Sequence, residues 1–204
     1  MNTAGRYVHK LNEQEFTELL KKRYTENGYS VRAYKYLCDN MNKEKGFIRK
    51  FSGEDYYIHP QAVAEILIEL VDADDVCVSV ALLHDCIEDM EGDVEGEMRR
   101  MFGDGITEKV LMVTKKKDVD YRVPENLREY LMGTLEDEDA VLVKIADRMN
   151  NNSTLSGASW EKKIQKTDET VLYFVPLALN AVKKFPRNSA FYGDAAEFFW
   201  RQID

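Results

Sequence analysis

A twelve-residue run, VCVSVALLHDCI over Val76–Ile87, is apolar enough to demand burial, yet it carries His84 and Asp85 and leads straight into Glu88 and Asp89. A core element interrupted by four ionisable side chains restricts the fold severely. Burying such groups without partners costs several kcal/mol each, roughly 2–7 for a neutral polar group and more for a charge. The chain must bring compensating groups to this point, and a metal ion is a common way to neutralise them. Read as one helix over 75–89, the run sets His84 one turn from Glu88 and Asp85 one turn from Asp89, so all four project from one side.

The rest of the chain supplies helices to surround it. Only four prolines occur, at 60, 124, 176 and 186, and apolar residues recur at three- and four-residue spacing, which predicts an all-α protein. Helices are expected over 12–24, 31–43, 60–71, 75–89, 94–102, 105–115, 125–135, 139–150, 160–183 and 189–202. Pro60 suits a first helical position, and Ser30 suits the cap of a helix beginning at Val31. The segment from Phe47 to Tyr57, with Ser52-Gly53, and the segment from about Lys116 to Pro124 read as loops, where binding groups usually sit. At 204 residues the chain suits a single domain over 1–204 with a sizeable core. The C-terminal segment SAFYGDAAEFFWRQI is aromatic on more than one helical face and is expected to cover that core, with a dimer interface as the alternative.

Two further apolar segments deliver metal-type ligands. His59 precedes Pro60 at a helix start, where a cap or an exposed imidazole is the plain alternative, and Asp147 ends AVLVKIAD, where an ion pair with Lys144 or Arg148 is the alternative. Taken together, His59, His84, Asp85 and Asp147 form a nitrogen and oxygen set from three helices, suited to Mn²⁺, Fe²⁺ or Zn²⁺ rather than to a thiolate site. The three cysteines, Cys38, Cys77 and Cys86, are odd in number and widely spaced, which predicts reduced thiols. A net charge of −9 offers no basic stripe for nucleic acid, so a phosphorylated ligand would need a local basic patch. No apolar stretch approaches the roughly 20 residues of a membrane span, and the N-terminus lacks a secretory run, so a cytoplasmic location is the default expectation.

The ordered pattern His59, His84-Asp85, Asp147 resembles the HD superfamily of phosphohydrolases. More narrowly, YYIHPQAVAEIL (56–67), ALLHDCIED (81–89), VTK (113–115), VKIADRMNNNSTL (143–155) and ETVLYFVPLA (169–178) resemble the hydrolase domain of RelA/SpoT proteins. The match spans about residues 47–185, with helical additions at both ends. It implies a compact multi-helix HD-domain fold and a stand-alone small alarmone hydrolase. Such an enzyme removes pyrophosphate from the 3′ position of ppGpp and pppGpp with Mn²⁺, as a monomer or homodimer. The resemblance makes His59, His84, Asp85 and Asp147 the metal ligands and matches Glu88 and Asp89 to the acidic pair that assists the attacking water. Asn151 and Thr154 fall on its nucleotide-contacting positions. Arg49, Lys50, Lys115, Lys144 and Arg148 lie in the matched motifs and supply the local basic patch. The family's base-stacking arginine falls in register on Lys50, with Arg49 one position earlier, and its late tyrosine falls on Phe174, with Tyr173 adjacent. Two other readings stay open: a phosphohydrolase for another nucleotide (an adenosine alarmone, a deoxynucleotide or the 2′-phosphate of NADPH), and a non-catalytic alarmone-binding module.

Overall fold

A computed structural model describes residues 7–50 and 52–202. The architecture is all-α: among the described residues the only extended pairing is a single bridge between Ile48 and Asp55. Among the described residues eleven α-helices follow in order: α1 (Glu13–Arg23), α2 (Tyr29–Asn40), α3 (Ile58–Val71), α4 (Asp75–Leu83), α5 (Cys86–Asp89), α6 (Val94–Val113), α7 (Pro124–Gly133), α8 (Glu138–Ser153), α9 (Trp160–Glu169), α10 (Val175–Lys184) and α11 (Ser189–Trp200).

The apolar run forms the centre, as its composition requires. Every residue of α4 from Cys77 to Leu83 is buried, and α8 is buried continuously from Ala140 to Ala146. A helix apolar on all sides must be covered on all sides. Here α2, α3, α6 and α8 surround α4, while α3, α6 and α11 pack on α8. In α11, Phe191, Tyr192, Phe198 and Phe199 are buried and Trp200 is exposed, so this aromatic helix does close the core. Cys38, Cys77 and Cys86 are free thiols, the last two buried. Among the described residues no helix is long and apolar enough to cross a membrane.

Four local expectations change. The helix expected over 75–89 breaks at His84–Asp85, and a four-residue turn, α5, resumes at Cys86. Ser30 does not cap α2 through its own side chain, for α2 starts at Tyr29 and Asp75 of α4 caps it from outside. The Asp75 carboxylate accepts from the Tyr29 and Ser30 amides at 2.8 and 3.0 Å and from the Ser30 hydroxyl at 2.5 Å. Helix α3 begins at Ile58, so His59 lies inside the first turn and Pro60 follows as its third residue, where an amide donor is not needed. The expected 160–183 helix is divided by a π-helical turn at Thr170–Phe174. By contrast, the separation of 94–102 from 105–115 holds: α6 kinks at Gly103, whose φ of 81° and ψ of 169° suit a residue without a β-carbon.

Candidate metal centre and adjoining cavity

The break after Leu83 lets His84 and Asp85 turn away from the α4 axis towards α3 and α8, where His59 and Asp147 meet them. His59 Nε2 lies 3.2 Å from Asp147 Oδ1 and 3.6 Å from Asp85 Oδ2. His84 Nε2 lies 3.2 Å from Asp85 Oδ2 and 3.9 Å from Asp147 Oδ1. Donor atoms of His59, His84 and Asp85 all fall within 4.8 Å of one another. His59, the adjacent pair His84 and Asp85, and Asp147, which together span 88 positions of the sequence, are thus brought together.

The surroundings orient these groups. His84 Nδ1 faces the Ala81 carbonyl at 2.7 Å, which accepts only, so the proton sits on Nδ1. His59 Nδ1 faces Asn150 Oδ1 at 2.7 Å in the same sense. Both Nε2 atoms therefore turn towards the carboxylates. The His84 Nε2 is buried and has no hydrogen-bond partner, a costly state for a polar atom. Tyr56 donates its phenol to Asp85 Oδ2 at 2.8 Å, and Asn151 donates its amide to Asp147 Oδ1 at 2.6 Å. Lys144 Nζ lies 3.4 Å from Asp147 Oδ2. A divalent cation fits this donor set: two imidazole lone pairs and two carboxylates, each held by an outer partner.

The electrostatics agree. Burial opposes ionisation of Asp85, but the His84 and His59 rings outweigh it and hold the carboxyl below the usual carboxylate range. Burial likewise opposes Asp147, and Lys144, His59 and His84 pull it well below that range. Burial disfavours the imidazolium of His84, yet Asp85 and Asp147 push its pKa up to about 9. The site attracts positive charge strongly enough to hold a proton where a cation would sit.

A cavity of about 790 Å³ adjoins this centre. Seven basic side chains line it, Arg49, Lys50, Lys115, Lys144, Arg148, Lys162 and Lys166, against four acidic ones, Glu54, Asp89, Asp147 and Glu169. An acidic chain has thus gathered the local basic patch that a phosphorylated ligand requires. Asn151 and Thr154 also line the cavity, and Thr154 accepts a 3.3 Å hydrogen bond from Arg49. Arg49 lies 5.9 Å from the Tyr56 ring, and Arg148 stacks on Phe174 at 4.0 Å while pairing with Glu169.

Two expected residues stand elsewhere. Tyr173 does not line the cavity but packs against the core, while Phe174, on which the family's tyrosine position falls, takes the cavity wall. Glu88 and Asp89 are not placed alike. Asp89 lines the cavity, and burial with the nearby Asp85 charge raises its pKa. Glu88 instead accepts a 3.1 Å hydrogen bond from the Lys115 amide, holding the loop that carries that lysine. Sequence reasoning missed Lys162 and Lys166, whose segment WEKKIQKTDE reads as a solvated helix face, and missed Tyr56 and Asn150, whose roles are to hold other residues.

Comparison with known proteins gives the same pattern. An HD-domain family model matches residues 42–181. A guanosine-3′,5′-bis(diphosphate) 3′-pyrophosphohydrolase of Aquifex aeolicus is 35% identical over 177 residues, covering 84% of this chain and 25% of that protein. A GTP pyrophosphokinase, rsh, of Brucella ovis is 35% identical over 152 residues, covering 72% of this chain and 20% of that protein. The chain therefore spans only a fifth to a quarter of these relatives' length. A solved structure, described as a metazoan ortholog of SpoT that hydrolyses ppGpp, superposes with a TM-score of 0.65 at 22% identity, covering 86% of this chain and 95% of that one. The resemblance to RelA/SpoT hydrolase domains read from the motifs is borne out, and the all-helical HD fold with it.

Proposed function

The chain belongs to the HD-domain family, and from that premise we propose that it is a metal-dependent hydrolase removing the 3′-pyrophosphate of ppGpp and pppGpp to leave GDP or GTP. In this reading His59, His84, Asp85 and Asp147 hold one divalent cation, manganese by preference. The observation that carries it is the buried Nε2 of His84, which makes no hydrogen bond and, with His59 Nε2, is aimed at two depressed carboxylates beside a cavity lined by seven cations. Such an ion, when bound, supplies a Lewis acid that acidifies water and polarises a phosphoryl oxygen.

The chain's own residues do the remainder. Tyr56, Asn151 and Lys144 orient the two carboxylates. Asp89 stands at the cavity wall with a raised pKa, suited to take a proton from the attacking water and return it to the leaving oxygen. Lys144 is buried, and Tyr130, Asp147 and Asp85 keep it protonated, so its charge is permanent at this wall. Arg49, Lys50 and Lys115 from the two loops and Lys162 and Lys166 from α9 line the cavity and supply cations for a polyphosphate. The Phe174 ring, backed by Arg148, offers a flat surface for ribose or base without a hydroxyl donor.

The decisive experiment incubates metal-stripped protein with ppGpp and adds Mn²⁺. Release of GDP and pyrophosphate is expected. Turnover of an adenosine alarmone, a deoxynucleotide or NADPH in place of ppGpp would move the substrate assignment, and tight ppGpp binding without turnover would make the chain a sensor.

A further inference from the structure

The segment from Tyr7 to Leu11 precedes the matched HD region and lies across it as a strap. Its first residue is tied to the end of α8: the Tyr7 amide donates to Ser153 Oγ at 3.2 Å, and the Tyr7 carbonyl accepts from Asn150 Nδ2 at 2.7 Å. The Tyr7 ring meets Phe198 of α11 edge-on, with centroids 4.9 Å apart. Its last residues are tied to α3: Glu65 accepts from the Lys10 amide at 2.7 Å, and Gln61 donates to the Leu11 carbonyl at 2.6 Å.

Asn150 links this strap to the metal centre. It is 2% exposed, and its amide spans two partners: Nδ2 to the Tyr7 carbonyl, Oδ1 to His59 Nδ1. A carboxamide has one donor end and one acceptor end, so satisfying the strap's carbonyl, which accepts only, forces the oxygen towards His59. That oxygen requires a proton on Nδ1, so Nε2, which faces Asp147 and Asp85, is the nitrogen left to offer its lone pair to a metal. With the amide reversed, an N–H would face Nδ1, the proton would belong on Nε2, and the ring would be lost as a ligand. We propose that the N-terminal strap, acting through Asn150 as a positioning residue, selects the His59 tautomer that can bind the metal.

The proposal rests on His59 being a metal ligand, as assigned above, and its test separates the two. Tyr7→Gly with Ser153→Ala loosens the strap while leaving Asn150 and His59 intact. In metal-free protein, ¹⁵N-edited NMR should show a slowly exchanging His59 Nδ1 proton in the parent chain and its loss in the double variant. Mn²⁺ affinity should fall about 10- to 100-fold, the usual effect of removing an outer partner of a ligand. Adding Asn150→Asp, whose two oxygens both accept, should return the slow proton and most of the affinity. Recovery on adding one oxygen distinguishes tautomer selection from simple loss of packing. Ser153→Ala alone keeps the ring contact and serves at smaller amplitude if the double change costs the fold. A loosened strap that keeps both the proton and the affinity overturns the proposal, as does an Asn150→Asp change that recovers neither. Failure of the parent chain to bind Mn²⁺ instead removes the metal assignment, and the proton measurement still reports on the strap.

Discussion

The Tyr56 hydroxyl donates a 2.8 Å hydrogen bond to Oδ2 of Asp85, the same oxygen that faces both imidazoles. The phenol is buried deeply enough, beside the Asp85 charge, that its pKa is driven far up and it acts only as a donor to this carboxylate. Tyr56→Phe keeps the ring and deletes that donor. Mn²⁺ affinity is expected to fall about 10- to 100-fold, with saturating metal restoring most of the turnover. Calorimetric titration checks this, and an unchanged affinity would remove Tyr56 from the site.

Protons and metal compete at His84. Its folded pKa of about 9 lies above the unfolded value near 6.5, so in metal-free protein the pairing stabilises fully below about pH 6.5 and is lost as pH rises through about 9. Asp85 and Asp147 have the opposite sign: their contribution is present above about pH 4 and is lost as pH falls below the usual carboxylate range. Metal-free protein should therefore lose melting temperature between pH 6.5 and 9, whereas Mn²⁺ affinity should climb over the same window as the ring gives up its proton. Titration in two buffers of different ionisation enthalpy should show proton release on loading.

The two acids after the ligand pair should separate cleanly. Asp89→Asn leaves the metal donors untouched and removes the carboxylate at the cavity wall, so kcat should drop about 10²- to 10⁴-fold with Mn²⁺ affinity kept. Glu88→Gln still offers an oxygen to the Lys115 amide, so it should retain most of kcat and shift KM modestly. A collapse of kcat in Glu88→Gln with an active Asp89→Asn would reverse the assignment.

The convergence of His59, His84, Asp85 and Asp147 was legible because ionisable residues set into apolar helices stand out and need partners. The helical class was legible for a similar reason, through spacing. What the pattern could not carry were relations between distant side chains. Asp75 looks like one more acid at the start of α4 and turns out to cap α2. Tyr56 and Asn150 look like ordinary helix-flanking residues, and their importance lies in single hydrogen bonds to groups 29 and 91 positions away. The break at His84–Asp85 escaped because nothing in VALLHDCIED is a helix breaker; the turn is bent by what its side chains must reach. Phe174 was legible from the motif register, and it is Phe174 that lines the cavity, whereas the adjacent Tyr173 packs against the core.

Stability should depend on Asp75 out of proportion to its place near the surface. It accepts three hydrogen bonds at the start of α2, and the helix dipole favours its charge there. Asp75→Ala should cost about 1–2 kcal/mol, while Asp75→Asn retains an acceptor and should cost less. Urea denaturation of the two variants at constant m-value is the measurement, and equal losses would show that charge, not capping, matters.

Glu169 is an anion held among the cavity's cations, paired with both Arg148 and Lys166. Burial opposes its ionisation, but Arg148 and Lys166 outweigh that and hold its carboxyl below the ordinary carboxylate range, so it is charged at neutral pH. Burial lowers the Lys166 pKa and Arg148 lowers it further, while Glu169 opposes both. Glu169→Gln therefore has two opposed effects. It releases Arg148 and Lys166 to meet substrate phosphate, which should lower KM at low ionic strength and steepen its dependence on salt. It also leaves the buried Arg148 guanidinium, whose Nε already lacks a partner, without its counter-charge, at a cost of about 1–3 kcal/mol. A variant that melts earlier yet binds ppGpp more tightly at low salt would show both effects, and bound substrate should restore the lost stability by standing where the carboxylate stood. If KM instead rose, Glu169 would be aligning Arg148 for the substrate rather than competing with it.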